Sequence, residues 1–145
     1  MASAVFLLWI VLLTAHLPTP ASSNFDLTVH LECEFGYTNW CVNVFIYEWD
    51  TWSPHDFIAE KSVCPPDRMK FDLKFGHINP QGDNTPDYEI MTMISHNCTK
   101  TGEFYCHEAE VVDIPAWTLN YVTLNFTLSH LDSKKGSCVH PNVST

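Results

Sequence analysis

The chain has 145 residues, with 17 Asp and Glu against seven Lys and Arg and a formal net charge of −10. That charge disfavours nucleic acid and bare anionic membrane surfaces as partners, and it favours solubility. The length suits one domain, and an even count of six cysteines points to disulfides wherever the compartment is oxidising.

Residues 1–23 read "MASAVFLLWIVLLTAHLPTPASS". The apolar run Ala4 to Ala15 is twelve residues long. A membrane-spanning helix needs roughly 20, whereas a signal-peptide core needs fewer. Pro18 and Pro20 then break the helix, and Ala21, Ser22 and Ser23 offer a small-residue cleavage point. The expected organisation is a signal peptide at 1–23, one domain at 24–138 and a disordered tail at 139–145. No second apolar run of membrane length follows, so no transmembrane segment is expected after cleavage, and the protein is expected to be secreted and extracellular.

"LTVHLECEF", 27–35, alternates apolar and polar residues with Cys33 on the core face, which reads as a half-buried strand. "CVNVFIYEW", 41–49, is aromatic and β-branched on both faces and reads as a more central strand. "FIAEKSVC", 57–64, is a weaker strand, and "MKFDLKF", 69–75, alternates cleanly again. Further along come "DYEIMTMISH" at 87–96, "HEAEVVDI" at 107–114 and "YVTLNFTLS" at 121–129. Turn clusters such as "DTWSPHD", "CPPDR" and "GHINPQGDNTP" separate them. Seven strands without helical periodicity predict an all-β, disulfide-stapled antiparallel β-sandwich.

A hairpin between 41–49 and 57–64, centred near residue 52 or 53, sets Cys41 opposite Cys64, close enough to bridge after a small adjustment. Cys98 and Cys106 bracket a seven-residue loop and are expected to pair, which by elimination leaves Cys33 with Cys138. Zinc held by His96, Cys98, Cys106 and His107 is the competing reading. Adjacent residues 106 and 107 point to opposite faces of a strand, so the disulfide is preferred and neither a metal nor a cofactor is expected. Three glycosylation sequons begin at Asn97, Asn125 and Asn142. Asn125 lies on the polar face of its strand, where a glycan reaches solvent.

Phe45, Tyr47 and Trp49 alternate on one strand face, with Trp52 in the following loop, while Val42, Val44 and Ile46 claim the opposite face. These four aromatics are a candidate contact patch. Asn43 shares their face and is a poor core residue, so partial exposure of Tyr47 is expected.

With the strands placed, the order of five blocks resembles the nematode transthyretin-like family of small secreted β-sandwich proteins. The blocks are "LEC" at 31–33, "CVNVFIYEWD" at 41–50, "DRMKFDLKFG" at 67–76, "PDYEIMTMISHNC" at 86–98 and "VVDIPAWTLN" at 111–120, with Cys106 and Cys138 completing the likeness. Cys41 and Cys64 form an added pair, and the glycine turn of the family is replaced by Arg68-Met69-Lys70. The resemblance implies a transthyretin-like or immunoglobulin-like topology. It also implies a non-catalytic extracellular binding, carrier or bridging role, with an extracellular protein, a lipid or a small apolar ligand as partner.

Two other readings stand beside it. A hydroxyisourate hydrolase shares the transthyretin fold, but its C-terminal Tyr-Arg-Gly-Ser is absent and Arg68 is the only arginine. His30, His55, His77, His130 and His140 occur singly and read as solvated, and Glu108 and Glu110 read as an acidic strand face. A secreted inhibitor or effector would need an exposed rigid loop, for which "GHINPQGDNTP" is the candidate.

Overall fold

The computed structural model describes residues 24–52, 54–65, 67–79, 87–115 and 121–141. Among them there is no helix, and nine strands form two sheets. The strands are β1 (Phe25–Cys33), β2 (Val42–Glu48), β3 (Asp56–Val63), β4 (Lys70–Ile78), β5 (Asp87–His96), β6 (Tyr105–Glu108), β7 (Val112–Pro115), β8 (Tyr121–Leu128) and β9 (Lys134–Lys135). The small sheet runs β4-β1-β8. The large one runs β3-β2-β5-β6-β9, with β7 also paired to β5.

Alternation dictates the layers. Phe25, Leu27, Val29, Leu31 and Cys33 of β1 are buried, and the residues between them are half-exposed. They meet Val42, Val44 and Ile46 of β2 and Tyr88, Ile90 and Ile94 of β5 in one apolar core. Each such aliphatic side chain contributes roughly 1.5–3 kcal/mol on leaving water. Trp40 closes one end of this core, donating its indole N–H to the carbonyl of Arg68 at 2.8 Å.

The expected sandwich is therefore present, with two changes. The segment read as one strand at 107–114 is two: β6 and β7 pair in succession along β5, around a break where Ala109 N–H bonds Thr92 O. The arrangement is also not wholly antiparallel, because β8 lies parallel to β1, with Asp26 opposite Tyr121 and Cys33 opposite Leu128.

Three disulfides are formed and no cysteine among the described residues is free. Cys41 pairs with Cys64 across the β2–β3 hairpin, as the hairpin centre indicates. The other two pairings differ from expectation. Cys98 belongs to the inter-sheet core, whereas Cys106 belongs to an apolar cluster on the outer face of the large sheet. Facing opposite ways, they cannot bridge each other. Cys98 instead reaches across the sandwich to Cys33, and Cys106 takes Cys138. In the chain-entropy account each closed loop is worth roughly 3–4 kcal/mol.

Candidate functional site

The aromatic stripe of β2 is covered by the protein itself. Tyr47 has no exposed surface and Phe45 is buried; both pack with Met91, Met93 and Cys106 against Trp49 and Cys138. The Cys106–Cys138 bridge draws the C-terminal segment across this face. His140 then meets the Phe45 ring edge-on at 4.6 Å, and its Nδ1 lies 2.5 Å from the Tyr47 hydroxyl. Burial, then the charge of Glu60, raises the Tyr47 pKa. The expected contact patch is thus a second small core. His140, expected in a disordered tail, lies at this face, and Asn142 falls outside the described residues. Asn43, the reason for expecting exposure, has its own partner and donates to Glu60 at 2.7 Å.

Trp49 stacks on His55 at 3.8 Å, and Asp50 N–H donates to His55 Nδ1, which braces the base of the β2–β3 turn. Only Trp52 of the four aromatics stands clear, 97% exposed at the turn.

Close to that turn the two sheets part. A cleft of about 520 Å³ opens between the edge strands β3 and β4, lined by Asp56, Phe57, Ile58, Ala59, Phe75, His77, Ile78 and Asn79. Both strands are irregular there. On β3 the register with β2 shifts between Ile46–Ala59 and Tyr47–Phe57, which leaves Ile58 as an extra residue. On β4 the register with β1 shifts between Leu27–Gly76 and Thr28–Lys74, which leaves Phe75 extra. A β-bulge bends its strand and re-aims the inserted side chain. Gly76 supplies the backbone this requires, with φ +72. Lys61 bridges the strands beside the cleft: its ammonium donates to Lys74 O and lies 5.7 Å from the centre of the Phe75 ring.

Glu48 and Asp56 are directly opposed in the β2–β3 register, and Glu48 is only 4% exposed. On its other side Glu48 opposes the core residue Ile90, which fixes its carboxylate on the inner side of the sheet. His77 lies 3.6 Å from Asp26 on the neighbouring strand.

A different assembly occupies the cysteine-rich end. Ser133 donates its hydroxyl to Ser129 O at 2.7 Å, so at 3.1 Å its oxygen accepts from Nε2–H of the buried His96. His96 Nδ1 is left as a buried lone pair, and Nδ1 of His107 and of His130 are likewise buried without a hydrogen-bond partner among the described residues. Burial, then the nearby His107 and His130, lowers the His96 pKa to about 4. His130, expected to be solvated, sits half-buried between Phe35 and Tyr105, while the exposed His30 pairs with Asp72 at 2.6 Å. Among the described residues no group of three or more His, Cys, Asp or Glu is placed to hold a metal ion.

Asn125 is exposed mid-strand on β8, which among the described residues pairs with β1 alone. Asn97 is engaged, its side-chain oxygen accepting from Cys41 N–H. Sequence reading found neither the cleft nor the histidine chamber. Gly76 inside an alternating strand was the available sign of a bulge.

Residues 28–141 match the family described as Caenorhabditis elegans protein of unknown function (DUF870), and the chain belongs to that family. The description carries no mention of a transthyretin-like relationship. No curated protein and no solved structure matches the chain.

Proposed function

We propose that this member of the Caenorhabditis elegans family is a secreted, non-catalytic binding protein that carries a small apolar ligand in the cleft between β3 and β4. The observation that carries this reading is the cleft: its volume lies within the 300–1,000 Å³ of small-molecule sites, and its lining sets Phe57, Ile58, Ala59, Phe75 and Ile78 beside the polar Asp56, His77 and Asn79. The two bulged residues, Ile58 on β3 and Phe75 on β4, both line it, and the Cys41–Cys64 bridge ties β3 to β2. Secretion is supported by the signal-peptide pattern of residues 1–23 and by three disulfides, which persist in oxidising compartments. The transthyretin-like resemblance, with its carrier and bridging roles, belongs to the same reading.

Titration of the oxidised protein with an uncharged, environment-sensitive dye such as Nile red tests the proposal. Saturable one-to-one binding is expected, reduced on the order of tenfold in Ala59→Phe, whose ring fills the cleft. Unsaturable binding, or equal binding by a folded Ala59→Phe protein, refutes it.

A further inference from the structure

We infer that β8 is an interaction edge whose partner is β8 of a second copy of this chain, paired antiparallel so that two three-stranded sheets become one. The edge strands β3, β4, β7 and β9 all carry features that discourage such pairing. β3 has a bulge at Ile58 and the charges of Asp56, Glu60 and Lys61. β4 has a bulge at Phe75 and the charges of Lys70, Asp72 and Lys74. β7 is four residues long and ends in Pro115, and β9 is two lysines. Short strands, charges, prolines and bulges are the usual means by which a sheet edge is kept from another chain. β8 has none of them. It runs eight residues without a charge, proline or glycine, in unbroken register with β1 from Asp26–Tyr121 to Cys33–Leu128. Among the described residues its far edge has no partner strand, so it presents a regular row of backbone donors and acceptors. On its core side Leu124 and Leu128 are buried but Val122 and Phe126 only half-buried, and one more strand would complete their cover.

The symmetry of the strand selects a second copy as the occupant. A two-fold axis at Leu124 sets Val122 against Phe126 of the other copy on the core side. On the outer side it sets Thr123 against Asn125 and Tyr121 against Thr127. Apolar meets apolar, polar meets polar, and no like charges are opposed although each copy carries −10. A contact of this self-complementary kind closes as a dimer. A foreign peptide would find no charge on β8 to select it. The cleft is untouched, since β4 lies at the opposite edge of the same sheet.

Sedimentation velocity tests this on the oxidised protein, secreted into a bacterial periplasm so that Asn125, beside the axis, carries no sugar. A monomer–dimer equilibrium in the micromolar range is expected, as suits a small strand-pairing interface. Added salt should strengthen it, because the copies repel through their net charge while the contact itself holds no ion pair. Thr123→Asp should weaken it on the order of tenfold or more, since the new charge enters the contact from both copies. Ser62→Asp, the same charge placed on β3, should change it by no more than about twofold. Amide hydrogen exchange locates the contact without any substitution: alternate amides of β8 should slow as the protein concentration rises. A monomer throughout the micromolar range overturns the inference. So does a dimer that salt weakens, a dimer indifferent to Thr123→Asp, or β8 exchange that does not depend on concentration. Slow exchange of those amides already in the monomer would mean that the chain covers its own edge, and overturns it equally.

Discussion

Acid should weaken this fold through one side chain. In an unfolded chain a histidine binds its proton near pH 6.5, whereas in the fold His96 does so at about 4. Between those values the unfolded chain holds more protons, so stability is complete above pH 6.5 and falls as the pH drops toward 4. At 1.36 kcal/mol per tenfold change in proton affinity, the full effect is about 3 kcal/mol. Between pH 7 and pH 5 the loss from His96 is about 2 kcal/mol. The physical cause is specific. Nε2–H is committed to Ser133, so a second proton must go to Nδ1, which is buried without an acceptor and near two further imidazoles. Urea denaturation of wild type and of His96→Leu at pH 7 and pH 5 measures the effect as a difference of differences, with other titrating groups cancelling. Wild type should lose about 2 kcal/mol more than the variant. Equal losses would refute the assignment of His96 as a neutral, buried ring.

Tyr47→Ala should destabilise the protein by roughly 3–5 kcal/mol, as truncation of a fully buried aromatic does; urea unfolding within about 0.5 kcal/mol of wild type would mean that the outer face is open. Replacing both Cys106 and Cys138 by serine should cost roughly 3–4 kcal/mol and increase the binding of a hydrophobic-surface dye, since the segment that carries His140 across Phe45 and Tyr47 is then released. Dye binding unchanged from wild type would show that the segment holds its place without the bridge. Expressed in a eukaryotic host, the protein should carry glycan on the exposed Asn125, and Asn125→Gln should abolish most of the mass shift seen on N-glycosidase treatment. A shift that survives the substitution would place the sugar elsewhere.

Much of the fold was legible because alternation is a local signal. The five apolar residues of β1 and the alternating residues of β8 declare a buried face without reference to any partner. Alternation does not name the neighbour, so the parallel contact of β1 with β8 could not be read from it. The cysteines show the same limit. Proximity in sequence suggested Cys98 with Cys106, but carrying the β5 phase through Ile94 and His96 to Cys98 places that sulfur on the core face, while the pairing of Cys106 with Ser95 places the other outside. The aromatic stripe was misjudged because Asn43 was weighed as a core residue, when its partner Glu60 lies on the next strand. The cleft depends on two bulges, each a single-residue slip against a non-local strand, and only the glycine at 76 marks one of them in the sequence.

The parallel partnership of β1 and β8 has a consequence for how the chain must be made. β1 is the central strand of its sheet, yet one of its two edges stays unpaired until nearly the whole chain has been synthesised. Cys33, at the end of that strand, emerges long before Cys98, and the first thiol to follow it is Cys41. A Cys33–Cys41 bridge made during synthesis would be wrong, and would also deprive Cys64 of its partner. Once made, such a bridge could be corrected only by thiol–disulfide exchange after residue 98 is available, in a chain whose longest-range contact is slow to form. Refolding from the reduced state should be rate-limited by this reshuffling, and a disulfide isomerase should accelerate it.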